Sequence, residues 1–178
     1  MAVREMIIGG GCFWCLDAAY RQIEGVEEVI CGYANGHLEH PGYKEVCTDT
    51  TGHAEVVKVR YDDSKLSYRE LLHIFYALHD PTTLNRQGAD YGSQYRSTIL
   101  WQNEEERRTA EEVTAETQKN LERKIVTRIE PLKNFYPAEA YHQNYFAKNP
   151  DQGYCRMVVA PKVSKVREHF PSRIKKRQ

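Results

Sequence analysis

The sequence lacks the features that mark several large classes of protein. It has no net charge, because Lys and Arg together number 25 and Asp and Glu together also number 25. A basic excess is the usual electrostatic sign of nucleic-acid binding, so its absence argues against that partner. No apolar run approaches the ~20 residues that a membrane-spanning helix needs. We therefore expect neither nucleic acid nor a membrane as a partner.

Signs of secretion are also missing. The apolar run at the N-terminus is short and carries Arg4 and Glu5, which does not fit a signal peptide. We expect a reducing, cytoplasmic location. The cysteines are odd in number and the chain is neither small nor secreted in character, so a framework of static disulfides is not expected. The five cysteines are Cys12, Cys15, Cys31, Cys47 and Cys155.

Patterns for metals and nucleotide cofactors are absent as well. Cys12 and Cys15 form one Cys-x-x-Cys pair, but no second pair follows it, and no His-x-x-x-His pattern occurs with a carboxylate. The three glycines before Cys12 lack the Lys-Ser/Thr of a phosphate loop and the spacing of a dinucleotide fingerprint. We expect neither a metal nor an organic cofactor.

The order of predicted elements indicates the fold class. Apolar runs and alternation predict strands over 6–8, 26–33, 54–61, 97–101 and 124–130. Helices are predicted after the glycines, after Ser67, after Asn103 and over 138–147, with polar loops at 34–52 and 80–94. The order β-α-β-β-α-β-α-β predicts an α/β plait of ferredoxin-like type, a mixed or antiparallel sheet with flanking helices.

The length of 178 residues favours one domain. We expect residues 1–178 to form a single catalytic domain with its core at about 4–148. The segment 149–178, which carries Cys155, is expected to be irregular.

Cys12 is the strongest candidate for chemistry, because it follows a buried strand and three glycines and begins a helix. Backbone N–H groups and the helix dipole at such a position stabilise a thiolate, so we expect a lowered pKa for this thiol. The thiolate is the attacking form of cysteine. The alternative is a small packing residue in a tight turn, and position alone does not decide between the two.

Two other cysteines could act with Cys12. Cys15 lies one helical turn later, so both thiols can share a helix face, as in redox Cys-x-x-Cys pairs. Cys155 lies in the segment expected to be irregular, from which a mobile thiol could reach an oxidised Cys12. Either could instead be a packing residue or a bystander. Cys31 lies on the apolar side of its strand and is expected in the core.

Glu55 is the informative acidic residue. Strand alternation places it on the same face as Val57 and Val59, whereas Lys58 and Arg60 take the opposite face. A carboxyl on the apolar face is desolvated, which raises its pKa and lets it hold a proton at neutral pH. The alternative is a glutamate at a strand end that turns back to water.

Two tyrosines lie at the polar loops. Tyr43 is in the first loop and Tyr95 ends the second. A phenol at a pocket edge donates a hydrogen bond to a polar substrate oxygen. Because most tyrosines are packing residues, each of the two is a weak signal by itself.

Five short motifs occur in order over most of the chain, from about Met6 to Cys155. They are Gly-Cys-Phe-Trp at 11–14, Tyr-Lys-Glu-Val-Cys at 43–47, Gly-His-Ala-Glu-Val-Val at 52–57, Asp-Tyr-Gly-Ser-Gln-Tyr-Arg-Ser at 90–97 and Ala-Glu-Ala-Tyr-His-Gln at 138–143. Together they resemble the type A peptide methionine sulfoxide reductases. The resemblance implies reduction of the S epimer of methionine sulfoxide, free or in proteins, as repair of oxidative damage.

The resemblance also implies roles for the polar residues of the motifs. Cys12 would attack the sulfoxide sulfur, and Glu55 would donate a proton to the sulfoxide oxygen. Tyr43 and Tyr95 would donate hydrogen bonds to that oxygen, and Asp90 would help to orient the polar side of the site. Protonation by Glu55 also suits the chemistry, since a sulfoxide oxygen is otherwise a poor leaving group.

Phe13 and Trp14 would form the walls of an apolar pocket for the S-methyl group, as the resemblance implies. Aromatic walls with a few donors suit a methyl group beside a strong dipole. Cys12 would become a sulfenic acid, and a second thiol would condense with it to a disulfide that thioredoxin-like reductants reduce. The second thiol could be Cys15, Cys155, or both in a relay.

The sequence departs from the commonest family pattern at three places. Cys15 stands where many members have Gly, Asn35 stands where Gly is usual, and no cysteine follows Cys155. These departures concern recycling rather than the reductase step. Two other functions compete: a general disulfide oxidoreductase, which would not need Glu55 or the tyrosines, and a methionine-binding or structural zinc module.

Overall fold

A computed structural model describes residues 2–175 as a mixed sheet with helices packed on it. The strands are β1 (Val3–Gly9), β2 (Val26–Ala34), β3 (Ala54–Asp62), β4 (Arg86–Gln87), β5 (Asp90–Tyr91), β6 (Thr98–Trp101), β7 (Arg128–Pro131) and β8 (Phe135–Pro137). The helices are α1 (Phe13–Arg21), α2 (Tyr43–Cys47), α3 (Tyr68–Leu78), α4 (Glu104–Gln118), α5 (Tyr145–Lys148) and α6 (Ala160–His169).

Six strands form the main sheet in the order β7-β6-β1-β3-β2-β8, and β4 pairs with β5 as a separate ribbon. Strands β6 and β7 are parallel, whereas the other neighbours in the main sheet are antiparallel. The prediction of a mixed or antiparallel sheet with flanking helices is confirmed. Strand β3 lies between β1 and β2, so a residue at its start lies at one end of the sheet, on an inner strand.

The core is asymmetric about the sheet. The larger apolar cluster contains residues of β1, β2, β3 and β6 together with residues of α1, α3 and α4. A smaller cluster lies on the other face and includes Ile7, Val56 and Leu100. Burial of apolar area is the main driving force for folding, so α1 and α3 are held against one face of the sheet. Cys31 is fully buried in the larger cluster, as expected.

Two helices begin at the predicted caps. The Ser67 side chain accepts the backbone N–H of Glu70, and the Asn103 side chain accepts the N–H of Glu106. Each bond satisfies a backbone donor that the first helical turn leaves unpaired. Helix α4 is the longest, at 15 residues. Within residues 2–175, no helix combines the length and the apolar character of a membrane span.

The prediction of an irregular C-terminal segment is wrong. A π-helical turn, Cys155–Val159, continues into α6, and Cys155 is fully buried. The apolar residues Val159, Val163 and Val166 recur at helical spacing and pack this helix against α1 and the main core. Many charged residues between them hide that pattern in the sequence. Residues 176–178 of the predicted segment lie outside the described residues.

Three local predictions also change. The helix predicted over 138–147 is divided into a 3-10 turn, Ala140–His142, and α5, because Asn144 adopts a left-handed φ of 54°. Its N–H bonds to the buried Asp17 at 2.8 Å, which fixes the break. The loop predicted over 34–52 contains α2, and the strand predicted over 124–130 begins only at Arg128.

The cap of α4 gives a prediction for stability. Replacing Asn103 by Ala should lower the free energy of unfolding by about 1 kcal/mol, because the N–H of Glu106 loses its acceptor. Urea unfolding followed by circular dichroism measures the change. The matched control is Asn103→Asp, which keeps an acceptor and should stay close to the wild type. An equal loss in both variants would contradict the capping role.

Candidate active site

Three glycines bring the start of α1 to the start of β3. A Cβ on Gly9 would lie 2.6 Å from the backbone oxygen of Glu55, so only glycine allows this approach. Gly11 has a φ of 83°, which turns the chain toward α1, and its N–H donates to the Tyr95 oxygen at 3.1 Å. The turn therefore places Cys12 beside Glu55 and anchors the loop that carries Tyr95.

Glu55 is buried at the centre of this arrangement, with 1% of its surface exposed. Its Oε1 accepts the backbone N–H of Phe13 at 3.2 Å. Burial raises the pKa of Glu55 to about 8, and although the Phe13 N–H acts in the opposite direction, the nearby Asp90 adds to the increase. The carboxyl therefore carries a proton at neutral pH, as strand alternation predicts.

Cys12 is half-buried and forms the N-cap of α1. Burial raises the pKa of its thiol well above the usual range, and the neighbouring Glu55 and Cys15 add to this. The N–H of Trp14 lowers the pKa, but it does not outweigh them. The prediction of a lowered pKa is therefore wrong for this form of the protein, because desolvation exceeds the effect of the helix start.

The two tyrosines lie beside Glu55 as half-buried side chains. Burial is the first cause that raises the pKa of both Tyr43 and Tyr95, and Glu55 contributes to both. Both phenols therefore stay protonated and able to donate. The backbone N–H of Tyr43 donates to Glu139 Oε2 at 3.0 Å, and the Tyr33 hydroxyl donates to Glu139 Oε1 at 3.0 Å. Glu139 thus fixes the start of α2.

Phe13 and Trp14 differ in exposure. Phe13 is fully buried, with its ring centroid 5.7 Å from that of Tyr33, whereas Trp14 is half-buried. The Trp14 indole stacks on Tyr145 with centroids 3.8 Å apart and planes at 3°. Tyr154 meets the same indole edge-on at 5.9 Å. The half-buried indole therefore offers an apolar surface, whereas the Phe13 ring lies in the core.

Asp90 connects this site to the C-terminal helix. The Tyr154 hydroxyl donates to Asp90 Oδ2 at 2.6 Å, and Tyr154 directly precedes Cys155. This bond joins β5 to the segment that carries the last cysteine.

All five cysteines are free. Cys15 and Cys155 share a small buried cluster with Val159, and Cys12 packs against it. Burial raises the pKa of Cys15 to about 11 and also raises the pKa of Cys155. The two buried thiols are therefore protonated at neutral pH. Cys47 is exposed at the end of α2, where its thiol meets the Tyr43 side chain. Within residues 2–175, no three His, Cys, Asp or Glu side chains are arranged to hold a metal ion.

Comparisons with known proteins agree with this geometry. The family model described as peptide methionine sulfoxide reductase matches residues 4–174. The chain belongs to that family. The peptide methionine sulfoxide reductase MsrA of Saccharolobus solfataricus is 52% identical over 168 residues, which cover 94% of this chain and 95% of the relative. Family membership decides against a general disulfide oxidoreductase and a zinc module.

Solved structures are similar as well. Reduced Mxr1 from Saccharomyces cerevisiae has a TM-score of 0.82 and 38% identity, covering 86% of this chain and 89% of the other. Mxr1 in complex with Trx2 has a TM-score of 0.58 and 28% identity, covering 80% and 84% respectively.

Sequence patterns predicted most of the residues that surround Cys12 and Glu55. They missed three supports: Glu139, which fixes Tyr43, and Tyr145 and Tyr154, which contact Trp14. Glu139 lies inside a family motif, but the motif does not show which backbone N–H it accepts. Nothing in the sequence distinguishes Tyr145 and Tyr154 from other tyrosines.

The buried carboxyl gives a prediction for stability as a function of pH. The folded-state pKa of Glu55 is about 8, above the value of 4.5 for a free glutamate, so stability falls as pH rises between them. The slope is about 1.4 kcal/mol per pH unit. Glu55→Gln should therefore be more stable than the wild type at pH 8 and similar to it near pH 5. Urea unfolding across this range measures the difference. The exposed Glu27→Gln is the control, and a pH-independent difference for Glu55→Gln would contradict the raised pKa.

Proposed function

We propose that this enzyme reduces the S epimer of methionine sulfoxide, free or in proteins, with Cys12 as nucleophile and Glu55 as proton donor. One observation carries the proposal. Glu55, a buried carboxyl that is protonated at neutral pH, bonds to the backbone of Phe13, the residue directly after Cys12. Such a group supplies an acid where a sulfoxide oxygen must be protonated.

The chemistry balances as an oxygen transfer. Glu55 gives its proton to the sulfoxide oxygen and, as the resulting carboxylate, takes the proton of the Cys12 thiol, whose sulfur attacks the sulfoxide sulfur. The S–O bond breaks as that oxygen passes to Cys12. Methionine leaves and Cys12 remains as a sulfenic acid. The sulfoxide sulfur is reduced by two electrons and the cysteine sulfur is oxidised by two.

The surrounding residues suit recognition of this substrate. The half-buried Trp14 indole and the buried Phe13 ring would form the apolar walls around the S-methyl group. The phenols of Tyr43 and Tyr95 would donate to the sulfoxide oxygen, since their raised pKa values keep them protonated. Asp90, held by Tyr154, would order the polar side.

A relay through Cys15 to Cys155 suits recycling. Cys15 is adjacent to Cys12, whose carbonyl accepts the Cys15 N–H at 3.1 Å, and Cys155 packs in the same cluster as Cys15. Cys15 would attack the Cys12 sulfenic acid, which forms a Cys12–Cys15 disulfide and releases water. Cys155 would then attack Cys15, which frees Cys12 and leaves a Cys15–Cys155 disulfide.

A thioredoxin-like dithiol would reduce that final disulfide and become oxidised itself. The similarity to Mxr1 in complex with Trx2 supports this class of reductant. The proposal extends to residues 1–178 as one catalytic domain. The strand order β6-β1-β3-β2, with α1 after β1 and α3 after β3, supports a ferredoxin-like plait at its centre. A cytoplasmic location stays a prediction.

The role of Glu55 gives a kinetic prediction. Glu55→Gln should slow formation of the Cys12 sulfenic acid by about 10²- to 10⁴-fold, because the proton donor is lost. Single-turnover mixing with an S-sulfoxide, followed by a sulfenic-acid trap and mass spectrometry, measures this rate. Glu27→Gln is the matched control and should react as the wild type does, whereas Cys12→Ser should give no sulfenic acid at all. An unchanged rate in Glu55→Gln would remove this residue from the mechanism.

The relay gives a prediction about disulfides. After one turnover without reductant, the wild type should hold a Cys15–Cys155 link and a free Cys12. Cys155→Ser should stop at Cys12–Cys15, because that step needs only the adjacent thiol. Peptide mapping by mass spectrometry identifies each link, and Cys47→Ser is the control. A Cys12–Cys155 link formed at the wild-type rate in Cys15→Ser would overturn the relay in favour of direct resolution by Cys155.

A further inference from the structure

His142 lies behind the aromatic pocket and is almost fully buried, with 1% of its surface exposed. Its Nδ1 accepts the Nε1–H of the Trp14 indole at 3.0 Å. The imidazole also packs on two other residues of the site, with ring centroids 4.4 Å from Tyr43 and 5.0 Å from Phe13. The buried imidazole of His142 thus contacts Phe13, Trp14 and Tyr43.

The bond to Trp14 fixes the proton on the imidazole. An indole nitrogen is a donor only, so Nδ1 must be the acceptor and cannot carry hydrogen. In the neutral ring the proton therefore lies on Nε2. That atom is buried and finds no hydrogen-bond partner among residues 2–175. A buried donor without a partner costs free energy, so the arrangement is not one that maximises stability.

We propose that His142 is a positioning residue that, in its neutral form, holds the Trp14 indole at the angle that fits a methyl group on sulfur. The inference rests on the proposed role of Trp14 as the pocket wall. Stacking on Tyr145 fixes the plane of the indole, but it does not prevent the ring from sliding or turning within that plane. The directional bond to Nδ1 removes this freedom, since hydrogen bonds weaken steeply when they are misaligned.

The surroundings of His142 determine when it is neutral. The ionisable groups that face it are Tyr43 from α2, Tyr141 on the same 3-10 turn, at a centroid distance of 4.2 Å, and Glu139. Burial lowers the pKa of His142, and Glu139 opposes this without reversing it. The ring is therefore neutral at pH 7. Protonation in acid would put a hydrogen on Nδ1 directly opposite the indole N–H and break the bond.

The test is selectivity between two substrates that differ by one methylene, methionine sulfoxide and ethionine sulfoxide. Cys12 and Glu55 act on both in the same way, so the ratio of their kcat/KM values reports the fit of the pocket and not the chemistry. His142→Phe keeps an aromatic ring but removes the acceptor, and the methyl-over-ethyl ratio should fall about 3- to 10-fold. His142→Asn has its Oδ1 where histidine has Nδ1, so it should restore the ratio.

The pH dependence of the methyl-over-ethyl ratio in the wild type gives a second test. This test does not depend on whether a variant folds correctly. The methyl-over-ethyl ratio should be constant at neutral and alkaline pH and should fall only in acid, below the range in which an ordinary histidine becomes charged, because burial lowers the pKa of His142. In His142→Asn the ratio should stay flat over the whole range, because an amide does not titrate there. The matched control is His73→Asn, at an exposed histidine, which should follow the wild type.

Trp14→Phe separates failure of this inference from failure of the pocket assignment. If Trp14→Phe lowers the ratio but His142→Phe does not, the pocket wall is correct and the role of His142 is wrong. If Trp14→Phe leaves the ratio unchanged, the pocket assignment fails and the inference fails with it. An equal pH dependence in the wild type and His142→Asn would overturn the role of His142 on its own.

Discussion

The active site depends on one buried hydrogen bond, from the Phe13 N–H to the Glu55 carboxyl. It joins the first turn of α1 to the start of β3, 42 residues apart in sequence. The bond satisfies one of the unpaired N–H groups of the helix end, and it holds the Glu55 carboxyl beside Cys12. Because Glu55 has almost no contact with water, its pKa rises to about 8. Burial of Glu55 at this position therefore accounts both for its hydrogen bond to Phe13 and for its raised pKa.

Carboxyl groups play a similar part elsewhere around the site, where each connects segments that are distant along the chain. The pairs are Glu55 with Phe13, Glu139 with Tyr43, and Asp90 with Tyr154, separated by 42, 96 and 64 residues respectively. Such bonds connect residues on loops and short helices to other elements of the fold. They also explain why the site is confined to one end of the sheet, where β3, α1 and the polar loops meet.

The thiols of Cys12, Cys15 and Cys155 differ in their exposure to solvent. Cys12 is the half-buried one, whereas Cys15 and Cys155 lie in an apolar cluster that raises their pKa values. Thiols that are buried and protonated react slowly with external oxidants. Burial raises the pKa of Cys12 as well, so what separates Cys12 from the other two thiols is its partial exposure to solvent.

The sequence by itself predicted most strands of the main sheet, the caps of α3 and α4 and the burial of Glu55, because these follow from local patterns, but it did not predict β8. Alternation along β3 places Glu55 on the buried face, and three glycines let the start of α1 approach β3 closely. Tertiary structure decided the rest. Helix α6 forms because its sparse valines find α1 to pack against, so Cys155 is buried rather than mobile. The pKa of Cys12 depends on desolvation and on Glu55, and the bond of His142 to Trp14 joins residues 128 positions apart. No local pattern encodes such contacts, since each arises only when distant elements pack together.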